Sequence, residues 1–172
     1  MNSLKLCLES KKSADLNGDG WLDLASASKD DDTVAWYPND GTGRFPTKHI
    51  INQGEESDGA YSLVAQDMDG DGTVDLVVAS NGNDHVSLWR NTDGTGAKFE
   101  KTLIYGEADF VLSVTAVDFD RDGDMDVASA GFFDGHIRWH ENLDGKGYEW
   151  ATKTIYVGSG GHYVSSDDMD GD

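Results

Sequence analysis

Three things are scarce in this 172-residue chain: cysteine, positive charge and long apolar runs. The single cysteine, Cys7, excludes an internal disulfide and any zinc cluster built on several cysteines. Only 13 Lys and Arg stand against 33 Asp and Glu, a formal net charge of −20. So large a negative charge repels nucleic acid and anionic membrane surfaces, and makes metal cations the natural small partners. No run approaches the roughly 20 apolar residues of a membrane helix, so direct membrane insertion is not expected. The stretch LKLCL (4–8) is shorter than the roughly 7–15 apolar residues of a signal peptide, so no address is visible in the chain. What is present argues for a fold: 37% apolar content with five Trp, six Tyr and six Phe is too aromatic for a disordered chain.

The sequence repeats. DLNGDGWLD begins at Asp15, DMDGDGTVD at Asp67, DFDRDGDMD at Asp118 and DMDGD at Asp168, with spacings of 52, 51 and 50 residues. The rest of each unit recurs in phase. After each complete acidic stretch comes an apolar run (LASAS, LVVAS, VASAG), then an alternating run (VAWYPN, VSLWRN, IRWHEN), then a D-G-x-G turn at Asp40, Asp93 and Asp144, then a closing run (FPTKHII, FEKTLIY, WATKTIY). YSLVAQ and LSVTAV precede the second and third acidic stretches. Period-two alternation, β-branched and aromatic enrichment, and Gly/Asp/Asn punctuation predict four short strands per unit, and helical periodicity is absent.

In the third strand of each unit Val34 and Trp36, Val86 and Leu88, and Ile137 and Trp139 fall on one face, while Tyr37, Trp89 and His140 fall on the other. Large residues on both faces suit sheets sandwiched between neighbours, and stacked four-stranded sheets of this length are propeller blades. The expectation is an all-β fold, a partial β-propeller of about three four-stranded antiparallel blades plus the first strand of a fourth. Residues 1–12 form a degenerate N-terminal segment, 13–58 blade one, 59–109 blade two, 110–160 blade three, and 161–172 the start of a truncated fourth. Lys11 and Lys12 align with Leu63 and Val64, so the first strand of blade one is expected to be weak or missing.

Each acidic stretch reads D-x-[DN]-x-D-G-x-x-D, with carboxylate or amide oxygens at positions 1, 3, 5 and 9. A hard divalent cation such as Ca²⁺ takes 6 to 8 oxygens, which alternate side chains on a tight turn can supply, and a glycine at position 6 permits the turn. The candidate side-chain ligands are Asp15, Asn17, Asp19 and Asp23; Asp67, Asp69, Asp71 and Asp75; and Asp118, Asp120, Asp122 and Asp126. Trp21, Thr73 and Asp124 would add backbone carbonyls. Asp168, Asp170 and Asp172 occupy positions 1, 3 and 5 of a fourth, truncated loop, expected to hold metal poorly. Loop one, with Asn17, carries less charge and should bind more weakly. An EF-hand is excluded because position 12 is Ser26, Val78 or Ser129 and not Glu, on strand-like runs.

On these loops, the AWYPNDGTG and LWRNTDGTG segments and the period of about fifty, residues 13–172 resemble FG-GAP/VCBS-type repeats, the blades of integrin α-subunit-like propellers. SDGAYSL and ADFVLSV stand where the family's Phe-Gly and Gly-Ala-Pro elements fall, so the resemblance is to the broader repeat class. It implies that the Asp and Asn residues named above bind Ca²⁺ in the hairpin joining the first two strands of a blade. It also implies an extracellular or cell-surface protein used in adhesion or in glycan or protein recognition.

Two other functional readings stand beside recognition: a propeller portion, catalytic or not, of a secreted polysaccharide-active enzyme, and a purely structural Ca²⁺ segment. The five histidines do not recur at one blade position with a nucleophile, and no Gly-x-Ser-x-Gly elbow occurs, so the chain is not expected to be an enzyme. A protein or carbohydrate ligand would meet the loops at 28–33, 80–85 and 130–136, where Phe132 and Phe133 are the one aromatic pair. Three blades do not close a ring, so further blades of a longer chain, or association of copies, are expected to cover the open sheet faces.

Overall fold

A computed structural model describes residues 8–160 and 163–166. The first sheet holds β1 (Leu8–Ala14), β2 (Asp23–Ser28), β3 (Thr33–Tyr37) and β4 (His49–Gln53). The second holds β5 (Ala60–Gln66), β6 (Asp75–Ser80), β7 (His85–Asn91) and β8 (Phe99–Tyr105), and the third β9 (Val111–Val117), β10 (Asp126–Gly131), β11 (His136–Asn142) and β12 (Trp150–Val157). Strands neighbour one another in chain order and every pairing is antiparallel. This is the all-β partial propeller that the repeat predicts. Its up-and-down order has a geometric consequence: the acidic loops and D-G-x-G turns lie at one end of every sheet. The loops between second and third strands, and the connections from sheet to sheet, lie at the other.

Alternation in the strands becomes packing between the sheets. Ala25, Ala27, Val34 and Trp36 of the first sheet meet Leu63, Leu76, Val78 and Trp89 of the second. The second sheet's other face, with Val77, Ala79, Val86 and Leu88, meets Val111, Val114 and Val127 of the third. Every residue of β6 is buried, and so is every residue of β10, each strand lying between two others of its own sheet. Each such aliphatic side chain contributes about 1.5–3 kcal/mol through the water it leaves.

Polar bridges set the register between blades. Leu63 N donates to Ser10 Oγ (3.3 Å), Val114 N to Ser62 Oγ (3.4 Å) and Val164 N to Ser113 Oγ (3.2 Å), so one serine position ties each innermost strand to the next unit. Residues 163–166 are not a strand, yet they continue this pattern along β9, where Thr115 Oγ1 and Ser166 Oγ also share a hydrogen bond of 2.7 Å. The last glycine of the D-G-x-G turn supplies a close approach. A Cβ at Gly96 would lie 2.6 Å from the Trp36 ring of the preceding blade, and one at Gly147 would collide with Leu88. Gly43, at the same position in the first unit, has nothing within 4 Å.

One expectation is corrected. The first strand of blade one is present, and β1 pairs with β2 from Leu8 to Ala14 with one irregularity near Ser10. Lys11 and Lys12 leave it intact because pairing uses the backbone, and their side chains stand exposed.

Candidate metal centre

The three complete acidic loops fold alike, and the first aspartate organises each. Asp15 Oδ1 accepts Gly18 N and its Oδ2 accepts Gly20 N, both at 2.8 Å. Asp67 accepts Gly70 N and Gly72 N at 2.9 Å each, and Asp118 accepts Arg121 N (2.7 Å) and Gly123 N (3.0 Å). The third residue caps the fifth: Asn17 Oδ1, Asp69 Oδ1 and Asp120 Oδ1 accept the amides of Asp19, Asp71 and Asp122. The fifth caps the seventh, with Asp19, Asp71 and Asp122 accepting the amides of Trp21 (2.9 Å), Thr73 (2.7 Å) and Asp124 (2.9 Å). Successive backbone N–H groups turned onto side-chain oxygens curl the chain so that alternate side chains converge.

The closing aspartate is buried in all three loops, Asp23, Asp75 and Asp126 being at most 1% exposed. Its Oδ2 holds the amide of the loop's second residue: Leu16 (3.0 Å), Met68 (3.1 Å) or Phe119 (3.3 Å). Its Oδ1 accepts the amide of an asparagine sixteen residues on: Asn39 (2.8 Å), Asn91 (2.8 Å) or Asn142 (2.9 Å). Ninth-position carboxylates therefore pin the loop to the end of the third strand or the residues just after it, and Asp126 also joins its loop's carboxylate cluster.

Convergence differs among the loops. Carboxylate oxygens of Asp67, Asp69 and Asp71 lie within 4.8 Å of one another, as do those of Asp118, Asp120 and Asp126. Asp75 stands outside the second loop's trio and Asp122 outside the third's. Loop one, with its amide at position 3, brings no three acidic side chains together in this way, and the Asn17 Nδ2 donates to Asp19 Oδ2 at 3.0 Å. Asp168, Asp170 and Asp172 lie outside the described residues. A small cavity of about 200 Å³ separates Asp15 and Gly18 of loop one from Gly72 and Thr73 of loop two.

The electrostatics favour a cation. Burial pushes the Asp75 carboxyl up to about 7, the Asp69 and Asp71 charges adding to it while the amides of Asn91 and Met68 oppose it. Asp69 is raised by burial and then by Asp71, and Asp126 is raised chiefly by burial. Like charges about 4 Å apart repel by about 4 kcal/mol at an effective dielectric of 20. Oxygen-only donors of this charge, clustered and partly desolvated, fit a hard divalent cation.

The asparagines were not singled out from the sequence, and they are the hubs of this end of the molecule. Asn91 Nδ2 donates to Leu16 O in the preceding blade's acidic loop (2.8 Å) and its Oδ1 accepts Gly96 N (3.1 Å). Asn142 does the same with Met68 O (3.2 Å) and Gly147 N (3.1 Å). Each therefore links its own acidic loop, its own D-G-x-G turn and the neighbouring loop. The available signal was recurrence at intervals of 52 and 51 residues, one or two positions before the turn's aspartate.

Sheets stacked with acidic hairpins at one end define the class: a repeat protein of the β-propeller type. The FG-GAP-like repeat family matches residues 15–78 and 67–129, more than half of the chain, and the protein belongs to that family. A comparison with curated proteins gives no match.

Proposed function

We propose that this is a calcium-binding propeller segment, part of an extracellular recognition or adhesion module for a protein or carbohydrate. The observation that carries the calcium reading is the threefold loop geometry, in which two loops each gather three carboxylates within 4.8 Å. The Asp, Asn and backbone positions named from the sequence would share the ligation. A bound cation would supply positive charge where Asp69, Asp75 and Asp126 now resist ionisation. The recognition reading and the extracellular setting rest on membership of the repeat family.

We read the segment as non-catalytic. Its Ser–His contact, Ser129 Oγ to His140 Nε2 at 2.8 Å, lies in the interior, with both residues fully buried where no substrate would reach. The cavity beside Asp15 is smaller than the roughly 300–1,000 Å³ usual for organic ligands.

Thermal melts in chelator and in 1 mM Ca²⁺ test the calcium reading. Dissociation constants of roughly 10⁻⁴ M, at the tight end of extracellular modules, give about 1.4 kcal/mol per occupied site at that concentration. The expected result is a rise in Tm of several degrees. Identical melts would remove the calcium claim.

A further inference from the structure

The opposite end of the sheets breaks the repeat at three positions together. In the connection entering blade two, Gly59 O accepts Asn81 N (3.0 Å) and Asp58 O accepts Gly82 N (3.1 Å). Entering blade three, Phe110 O accepts Phe132 N (3.1 Å) and Asp109 O accepts Phe133 N (3.4 Å). Asp32 Oδ1 caps Gly59 N just as Asp84 Oδ1 caps Phe110 N, both at 2.8 Å. The two sites are therefore one structure, carrying Gly, Asn and Gly in one blade and Phe, Phe and Phe in the next.

Blade two holds the same backbone arrangement without these rings. Gly59 sits at φ +66° and Phe110 at +56°, a left-handed conformation that glycine adopts freely and an aromatic residue resists. In blade two a Cβ at position 59 would meet the backbone N of Gly82 at 2.5 Å and Asn81 Oδ1 at 2.6 Å, so that blade has no room for a side chain where blade three carries Phe110. Strain kept in place of an available glycine points to use.

The three phenylalanines form one cluster. Phe110 and Phe133 centroids are 4.7 Å apart, Phe132 and Phe133 5.2 Å, and Phe110 and Phe132 6.2 Å. Phe133 is 66% exposed. A cation already sits against the cluster: Lys29 Nζ is 5.1 Å from the Phe110 centroid and 6.0 Å from that of Tyr61. The loops of this end, residues 29–32, 54–59, 81–84, 106–110 and 132–135, carry ten carboxylates and one lysine, and even with Lys101 reaching Glu56 O and Arg138 paired to Asp134 the excess of negative charge weighs the surface toward a positively charged ligand over a neutral one.

We propose that the Phe110–Phe132–Phe133 cluster and its acidic surround form a docking surface for a cationic peptide segment of a partner protein, with an apolar side chain on the rings and Arg or Lys beside it. This deepens the recognition reading above and is independent of the calcium reading. Aromatic faces bind both the apolar anchor and the flanking cation, and the carboxylates speed encounter and select its charge.

The test uses the full chain and three end-blocked peptides sharing a central phenylalanine, flanked by arginines, serines or glutamates, with a neutral β-glucan oligosaccharide as a fourth probe. Binding is followed by the ring resonances of the three phenylalanines. The arginine peptide should shift them, bind at least about tenfold more tightly than the serine peptide at low salt, and lose that advantage in roughly 0.5 M salt. Phe110→Gly, which installs the residue of the equivalent blade-two position, should melt no lower than the parent and bind at least fivefold more weakly. Phe133→Ala should weaken binding similarly. A clear fall in the melting temperature of Phe110→Gly would assign the rings to packing and overturn the proposal. So would ring shifts with the oligosaccharide alone, or with no probe. The Ca²⁺-dependent rise in Tm, measured on the same variants, reports the calcium reading separately.

Discussion

The two ends of these sheets treat the same repeat in opposite ways. At the acidic end, three units keep the same caps: first aspartate to two amides, fifth to the seventh, ninth to the asparagine at or just past the end of the third strand. At the other end, the backbone scheme is kept while the side chains go from Gly59, Asn81 and Gly82 to Phe110, Phe132 and Phe133. Repetition is maintained where each unit must grip its neighbour and gather charge. Divergence is concentrated where strand geometry is indifferent to the side chain carried. The end that ties the blades together and the end proposed to meet a partner are thereby separated by the length of a strand.

The largest expected effect comes from breaking the hub of the constant end. Asn91→Leu strands Leu16 O and Gly96 N, and should lower stability by about 3–5 kcal/mol in urea unfolding. Asn39→Leu, at the equivalent position of the first unit, should lose only about 1–2 kcal/mol, since its contacts stay within its own blade. Equal losses would show that inter-blade linkage is not what the asparagine provides.

The interior between the ends should respond to acid on its own terms. His140 lies between Ser129 Oγ and Thr152 Oγ1, at 2.8 Å from each, with the Tyr105 ring tilted against it at a centroid distance of 5.4 Å. Burial and then the Arg138 charge press its pKa down to about 4. The unfolded state, near 6.5, binds the extra proton first, so stability is full above about pH 6.5 and falls as pH drops toward 4, by about 3 kcal/mol in all. His140→Gln should flatten that segment of the stability–pH curve, with or without calcium. A loss that vanishes when calcium is added would place the acid response in the loops.

Next in size is the glycine pair. Gly96→Ala should cost about 2–3 kcal/mol, combining left-handed backbone with a clash on Trp36, whereas Gly43→Ala should cost only about 1 kcal/mol of backbone strain. Chemical denaturation of the two variants separates these contributions. The smallest effect is Asn17→Asp, which should tighten calcium at loop one by a few fold by restoring the missing charge, as calorimetric titration would read.

Much of this architecture is legible in the sequence because periodic features report on backbone geometry. Alternation of Val34 and Trp36 against Ala35 and Tyr37, repeated in each unit, specifies strands packed on both faces. The D-x-[DN]-x-D-G-x-x-D spacing likewise locates the acidic turns. The roles of Asn91 and Ser62 were hidden because they depend on register between blades: Asn91 bonds a carbonyl 75 positions away and Ser62 an amide 52 away. Lys11 and Lys12 misled because a strand's existence rests on its partner's backbone as much as on its own side chains. The left-handed turn at Phe110 was invisible because phenylalanine seldom adopts it.

The contrast between the two ends can be measured directly by titrating the amide ¹H–¹⁵N spectrum with Ca²⁺. The amides of Gly20, Gly72 and Gly123, which donate to the first aspartates, should shift and saturate by roughly 1–10 mM, with Gly59, Gly82 and Phe110 unmoved. Unmoved loop glycines, or equal shifts at both ends, would contradict the account.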